Sequence, residues 1–193
     1  MRKKDQNGVI TGGYFEGYID KQVPLEDGEG TVNRKVYVGD YYSAELDDHE
    51  RMRRRSLYNV LSIVSPLALA LGYAMGSSAI NAWYVQIALA LAIIPYFGLL
   101  GGISCFISAP KRLTIWEYKH SSKQIIRSSQ ICTAALVLLA VTVVIYAIVA
   151  REQVQYALFT IVLTLIATAM FAVINFMERS TAYKTEPSED KPE

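Results

Sequence analysis

Charged residues are missing from three long stretches of this 193-residue chain, although 19% of its residues are charged overall. None occurs from Ser56 to Pro110, from Ser128 to Ala150 or from Gln153 to Met177. A soluble domain disperses its apolar residues and carries charge over its whole surface. Stretches this long cannot provide such a surface, so the sequence excludes a soluble enzyme.

Histidine and cysteine are scarce, with two of each. Neither His49 nor His120 has metal-ligand spacing to another histidine or cysteine, and the chain has no Walker loop, GxGxxG motif or Ser/His/acid order. We therefore predict no catalytic residue, no cofactor and no metal ligand. The net charge of +1 excludes a strongly basic nucleic-acid binder. The charge-free stretches also lack the buried carboxylate, histidine or lysine that ion-coupled transport uses.

The charge-free stretches have the lengths of membrane spans. About 20 apolar residues cross a hydrocarbon core of about 30 Å. The sequence predicts an all-α membrane domain over 46–177, in which four transmembrane helices form two antiparallel hairpins. The predicted spans are 56–75, 83–107, 128–150 and 154–177, with tight turns at 76–81 and 151–153 and a longer loop at 108–127.

Cations next to the spans indicate the orientation. Arg51, Arg53, Arg54 and Arg55 precede the first span, and Lys111, Arg112, Lys119, Lys123 and Arg127 lie in the 108–127 loop. Positive charge marks the cytoplasmic side. We expect a multi-pass protein of the cell membrane with both termini and this loop in the cytoplasm, and no signal peptide in the polar residues 1–50. The nine cations are predicted to determine topology and to meet lipid headgroups; a nucleic-acid or acidic-lipid patch at 51–55 is the less favoured alternative.

The terminal segments differ in character. Residues 1–45 are rich in tyrosine, and Gly13–Ile19 and Val32–Val38 resemble strands around a turn at 27–30, which predicts a small cytoplasmic β-hairpin. Two strands alone are marginal in water, so the hairpin must pack on the membrane domain, a second copy or a partner. The alternative is a docking strand for another subunit. The acidic tail, 178–193, is predicted to be disordered.

Small and hydroxyl-bearing residues recur at four-residue spacing within the spans. Close backbone approach drives helix association in lipid, and lipid offers a hydroxyl no partner. Such residues therefore predict helix-packing faces. They are Ala68, Gly72 and Gly76 in the first span, Gly98 and Gly102 in the second, and Thr160, Thr164 and Thr168 in the fourth.

Pro66 and Pro95 lie near the middle of the first two spans, at similar depth if these spans form a hairpin. Each proline ring frees the carbonyl four residues earlier, which for Pro66 is that of Ser62. A freed carbonyl at the membrane midplane needs a partner, which Ser62, Ser65 or Tyr96 could provide. We favour structural kinks at the two prolines, and the alternative is a transporter cavity shaped by them.

One motif carries a resemblance. The segment Val36–Tyr42 (VYVGDYY), followed by an acidic and then basic helix start and two apolar hairpins, resembles uncharacterised four-helix integral membrane proteins of bacteria. The resemblance implies the layout of the chain and brings no function with it.

Three functional hypotheses follow from the sequence. The first is a non-enzymatic accessory or scaffold subunit, which forms a homo-oligomer or joins other membrane subunits within the lipid bilayer. The second is a small transporter or channel for an uncharged or lipid-like solute. The third, a membrane enzyme, would need polar groups clustered around Tyr41, His49 and His120.

Overall fold

The computed structural model describes residues 3–4, 9–24, 31–74, 78–150 and 154–188, which belong to two compact units. The helical unit comprises Leu46–Ser108 and His120–Thr181. The strand unit comprises the N-terminal segment up to Glu45, the segment Ala109–Lys119 and the C-terminal segment from Ala182. Of the predicted features, the turns at 27–30 and 151–153, Gly76 and the end of the tail lie outside the described residues.

Helices dominate the structure. They are α1 (Asp48–Ala74), α2 (Trp83–Ser108), the single turn α3 (Ile115–Tyr118), α4 (Gln124–Ala150) and α5 (Val154–Arg179). A short 3₁₀ turn, Ser78–Asn81, precedes α2, and a π-helical turn, Lys119–Lys123, precedes α4. Within the described residues, α1, α2, α5 and the helical run ending in α4 are long and apolar enough to cross a membrane, which confirms the prediction of four such helices.

The first helix is longer than its charge-free stretch. It begins at Asp48, whose backbone N–H donates to the Asp47 side chain at 2.8 Å, and Asp48 and Glu50 lie in its first turn. Carboxylates there interact favourably with the positive end of the helix dipole. As a result α1 begins two turns before the predicted span at residue 56.

Large apolar side chains lie on the outside of the helical unit as well as inside it. Ile94, Ile148, Val149 and Phe176 are each more than 70% exposed, whereas Leu99, Ile125, Leu139 and Ile174 are completely buried. The interior forms where α4 packs on α2 and α5, and where α1 packs on α5. A soluble monomer rarely exposes so much apolar surface, whereas a hydrocarbon environment accommodates it.

In the part of the strand unit that the structure describes, there are three small antiparallel sheets. A short ladder joins β1 (Lys3–Lys4) to β2 (Ile10–Thr11), and a two-stranded ribbon joins β3 (Tyr18–Pro24) to β4 (Thr31–Tyr37). The third sheet has β5 (Tyr41–Ala44) in the centre, with β6 (Arg112–Leu113) and β7 (Tyr183–Glu186) on either side.

The ribbon corrects the predicted hairpin. Its first strand begins at Tyr18 and not at Gly13, because the chain turns at Gly12, Gly13 and Gly17, whose φ angles are +84°, +78° and +84°. Glycine adopts such angles readily, and regular strands do not use them. The turn places the Gly17 carbonyl where the Val38 N–H donates to it at 2.8 Å.

The tail also differs from its prediction. Residues 183–186 form an ordered strand, with Tyr183 opposite Ala44 and Glu186 opposite Tyr41, and Ser188 is buried. The prediction of disorder rested on local composition, whereas the strand is stabilised by a partner that lies far away along the chain.

Candidate functional site

Tyr37 connects all three segments of the strand unit. Its hydroxyl donates to the Asp40 carbonyl at 2.8 Å and accepts a hydrogen bond from the Ile115 N–H at 2.9 Å. Its own carbonyl accepts from the Ser188 hydroxyl at 3.0 Å. One buried side chain and its backbone therefore join the end of the ribbon, the segment between α2 and α4, and the segment after α5.

Aromatic contacts reinforce these connections. The Tyr14 ring meets Trp116 edge-on with centroids 4.8 Å apart, and the Tyr42 ring stacks on Tyr118 at 4.4 Å and 7°. Tyr118 also contacts Tyr183, at 4.9 Å. Aromatic pairs of this kind contribute about 0.5–1.5 kcal/mol each beyond the area that they bury. The tyrosine-rich segment is therefore part of a packed unit.

Two ion pairs between described residues join the same segments. Lys119 Nζ lies 2.6 Å from Glu16 Oε1, and Arg112 Nε lies 3.2 Å from Glu186 Oε2. The other oxygen of Glu186 accepts from the Ser43 hydroxyl at 3.2 Å. Arg112 and Lys119, predicted to meet lipid headgroups, thus each have a carboxylate partner within the strand unit.

Burial controls the ionisation of the central tyrosine. Desolvation raises the pKa of Tyr37 to about 12, against the opposing effect of the hydrogen bond from Ile115. Desolvation also raises the pKa of Tyr18, with the charge of Glu117 acting in the same direction. Desolvation thus favours the protonated phenol of Tyr37, which is the form that its hydrogen bond to the Asp40 carbonyl requires.

In the helical unit, Arg54 connects the start of α1 with the end of α5. The guanidinium donates to Glu50 Oε1 at 2.7 Å and to the Met177 carbonyl at 2.9 Å, and it also contacts the Thr181 hydroxyl. Only 8% of Arg54 is exposed. A residue predicted from its charge to determine topology therefore also holds two helix ends together.

A buried carboxylate lies beside these contacts. Glu178 follows Met177 in α5, and its partner Tyr58 lies one turn after Arg54 in α1. Glu178, in the last turn of α5, is 1% exposed and accepts a hydrogen bond from the Tyr58 hydroxyl at 2.8 Å. The Tyr58 ring is fully buried and packs on Phe106 of α2 at 5.6 Å. Sequence reasoning missed this pair. Its only signal was that Glu178 is the first charged residue after the last charge-free stretch.

The predicted packing residues lie against different neighbours. Gly72 of α1 faces α5, where its carbonyl accepts from the Thr160 hydroxyl at 2.9 Å. Gly98 and Gly102 of α2 face α4: a Cβ added at Gly98 would lie 2.8 Å from Ser128 Oγ. Thr164 and Thr168 are buried, and their hydroxyls donate to carbonyls of their own helix, while Ala68 is half-buried.

The carbonyl freed by Pro66 has a partner. The Tyr96 hydroxyl of α2 donates to the Ser62 carbonyl of α1 at 3.0 Å. Beside this bond lies a cavity of about 60 Å³, and Pro95 lies in the helix that forms one of its walls. Its lining is apolar apart from Tyr96 and comes from all four long helices: Pro66, Leu69, Leu89, Ala92, Ile93, Tyr96, Leu136 and Phe171.

The polar groups considered for an enzyme are distributed over both units. Tyr41 belongs to the strand unit, and both histidines are exposed on the helical unit. Within the described ranges, no group of three histidine, cysteine or acidic residues could hold a metal ion. The remaining predicted topology residues Arg53, Lys111, Lys123 and Arg127 are exposed, and Arg51 and Arg55 are half-buried.

Comparison with known protein families, with curated proteins and with solved structures finds no match for this chain.

Proposed function

We propose that this chain is a non-enzymatic accessory or scaffold subunit of a cell-membrane assembly, which presents a folded cytoplasmic unit to its partners. The observation that carries the proposal is the β6-β5-β7 sheet. Its strands come from before α1, from between α2 and α4, and from after α5, so three separate segments of the chain form one folded unit.

The same sheet supports the topology. If each of the four long helices crosses the membrane once, two segments can pair only when an even number of crossings separates them. Two crossings separate β5 from β6 and two separate β6 from β7, as two hairpins require. The cations at 51–55 and 111–127 then favour the cytoplasm as the side on which the strand unit lies.

The strand unit offers features that partners use. Tyr14 is 63% exposed although its ring contacts Trp116, and exposed aromatic side chains often act as anchors in interfaces. The strands β6 and β7 are the edges of their sheet, and an edge strand can pair with a strand of another chain. These features favour a subunit that binds protein partners.

Cysteine accessibility tests the topology. Single cysteines replace Lys111 in the strand unit and Ser78 in the turn before α2, in a chain whose Cys105 and Cys132 are alanine. A membrane-impermeant maleimide added to intact cells should label position 78 and should label position 111 only after lysis. Labelling of position 111 in intact cells would refute the cytoplasmic placement.

Co-purification from native membranes tests the partner hypothesis. The tagged chain should be retrieved in a complex of fixed stoichiometry, either with itself or with other membrane subunits. The variant Tyr14→Ser should lose partners that use this surface, and the matched control Gln22→Ser, also exposed, should keep them. A monodisperse monomer that retrieves nothing would refute the proposal.

The apolar cavity favours a second candidate, a site for an uncharged or lipid-like solute. A lining in which Tyr96 is the one polar residue suits an acyl chain better than a polar solute. In liposome flux assays, Ala92→Phe would fill the cavity and should abolish transfer of such a solute, whereas Ala90→Phe on the exposed side of α2 should not. Equal transfer by both variants would remove this candidate.

A further inference from the structure

The ribbon of β3 and β4 has one face on which cations and apolar side chains alternate. In an antiparallel pair, residues opposite each other lie on the same face, and the faces alternate along each strand. The register pairs Ile19 with Val36 and Lys21 with Arg34, and Val32 lies two residues before Arg34. We call these five residues, Ile19, Lys21, Val32, Arg34 and Val36, the basic ribbon face.

Two observations show that the outer part of the basic ribbon face is open to solvent, as far as the described residues extend, while Ile19 and Val36 at its other end are half-buried. Val32 is 50% exposed, and both Lys21 and Arg34 are exposed. Among the residues that the structure describes, neither cation forms an ion pair. Like charges directly opposite each other destabilise a strand pair, so an external anion would relieve their repulsion.

On the opposite face of the ribbon, the cation and the aromatic rings have contacts with other residues of the strand unit. There Lys35 lies opposite Asp20, and its Nζ lies 3.6 Å from the centroid of the Phe15 ring. Near the same end, the rings of Tyr18 and Tyr37 are in contact at 5.0 Å. At this end the opposite face packs within the strand unit, and its cation lies over an aromatic ring and opposite a carboxylate, whereas Gln22 and Asn33 further along are exposed.

We infer that the basic ribbon face docks on an anionic lipid surface, with Val32 inserted among the headgroups and with Lys21 and Arg34 on lipid phosphates. Cations beside apolar side chains are the combination that binds anionic membranes at the interface. This inference rests on the proposed membrane embedding of the helical unit.

Covalent reach favours a membrane over a free acidic peptide. Ten residues separate the end of β4 at Tyr37 from the start of α1 at Asp48. Even fully extended they span about 35 Å, so the ribbon remains tethered close to any bilayer that α1 enters. The bilayer is therefore present at a high effective concentration around the ribbon. A free acidic peptide would have to reach a similar concentration in solution to compete with it.

Spin-label accessibility tests the docking. The full chain, with Cys105→Ala and Cys132→Ala, receives one label at Val32→Cys, at Asn33→Cys on the opposite face, or at Ile94→Cys in α2. Each is placed in nanodiscs of pure phosphatidylcholine or of phosphatidylcholine with phosphatidylglycerol. Collision with oxygen reports the hydrocarbon, and collision with a water-soluble nickel chelate reports water.

In anionic discs, the label at position 32 should become shielded from nickel while the label at position 33 stays exposed to it. In zwitterionic discs, both should stay exposed. Equal nickel exposure at positions 32 and 33 in anionic discs, with position 94 shielded, would overturn the docking and leave the membrane embedding intact. Nickel exposure at position 94 would overturn both proposals.

Charge variants separate lipid binding from a structural change. Each cation near an anionic surface contributes a factor of about five to membrane affinity, so Lys21→Gln with Arg34→Gln should lower the docking equilibrium about thirtyfold. The control Lys35→Gln removes a cation from the opposite face and should leave the label at position 32 shielded. If both variants behave alike, or if only a protein from native membranes shields position 32, the lipid docking is refuted.

Discussion

In the helical unit, several contacts between helices run through small residues and backbone carbonyls, whereas the strand unit relies on large rings and charged groups. Gly72 offers its carbonyl to Thr160, while Tyr37 uses its hydroxyl and carbonyl to join three chain segments. The difference fits the proposed placement of the helical unit in lipid and of the strand unit in water. Within lipid, helix association brings no hydrophobic gain, because lipid tails are as apolar as the side chains. Close backbone approach and hydrogen bonds then determine which helix faces pack together. In water, burying aromatic area stabilises even short strands.

The largest expected effect comes from closing the space between α2 and α4. A Cβ at Gly102 would lie 3.0 Å from Ile125 Cγ1 and 3.2 Å from the Ile125 backbone nitrogen, and backbone cannot move aside easily. Gly102→Leu should therefore lower the free energy of unfolding of the helical unit by about 3 kcal/mol, measured by SDS-induced unfolding.

The neighbouring Gly101 is the matched control for Gly102. It is exposed, and the nearest atom to an added Cβ is the flexible end of Gln124 at 3.4 Å. Gly101→Leu should change the free energy of unfolding little. Equal losses in the two leucine variants would mean that close packing of α2 on α4 does not stabilise the helical unit.

The next largest loss of stability is expected at Arg54. Its hydrogen bonds between α1 and α5 contrast with the small-residue contacts elsewhere in the helical unit. Arg54→Ala removes the bonds to Glu50 and to the Met177 carbonyl, and should cost about 2 kcal/mol in the same unfolding assay. Arg53→Ala, at an exposed position next to it, should cost little. Equal stability of the two alanine variants would mean that the hydrogen bonds of the Arg54 guanidinium do not stabilise the helical unit.

The sequence reveals the helical unit better than the strand unit, and the reason is physical. A membrane helix satisfies its backbone within its own segment, so uninterrupted apolar residues suffice to predict it. The strand β7 satisfies its backbone against β5, and nothing in Tyr183–Glu186 specifies that partner. The Tyr58–Glu178 pair was missed for the same reason, since its residues are 120 positions apart. The Tyr96 bond to Ser62 was foreseeable because proline frees a particular carbonyl.

A smaller effect tests the central residue of the strand unit. Tyr37→Phe leaves the Ile115 N–H without its acceptor and should destabilise the strand unit by about 1.5 kcal/mol. Hydrogen exchange should speed up in β5, β6 and β7 and stay unchanged in the long helices. Tyr41→Phe is the control, because within the described residues the Tyr41 hydroxyl makes no hydrogen bond. Equally fast exchange in both variants would contradict a stabilising role for the hydrogen bonds of the Tyr37 hydroxyl.

The raised pKa of Tyr37 adds a pH dependence to the strand unit. An unfolded tyrosine ionises near pH 10, whereas folded Tyr37 ionises at about 12. The fold therefore favours the protonated form, so its contribution to stability is complete below pH 10 and is lost as pH rises towards 12. Near-ultraviolet circular dichroism should show a smaller loss of structure between pH 10 and 12 in Tyr37→Phe than in the native chain. Identical pH profiles would contradict this assignment.

The smallest effect separates two threonines that look alike in the sequence. Thr160 and Thr164 are both buried in α5, and both hydroxyls donate to carbonyls within that helix, but only Thr160 also donates to Gly72 of α1. A hydrogen bond between membrane helices contributes about 0.6 kcal/mol, so Thr160→Val should lower the free energy of unfolding by about that amount. Thr164→Val keeps the shape and loses only a bond within its own helix, so it should be close to neutral. If the two valine variants are equally stable, the hydrogen bond from Thr160 to the Gly72 carbonyl contributes nothing measurable, and the two threonines stabilise the helical unit through their shape alone.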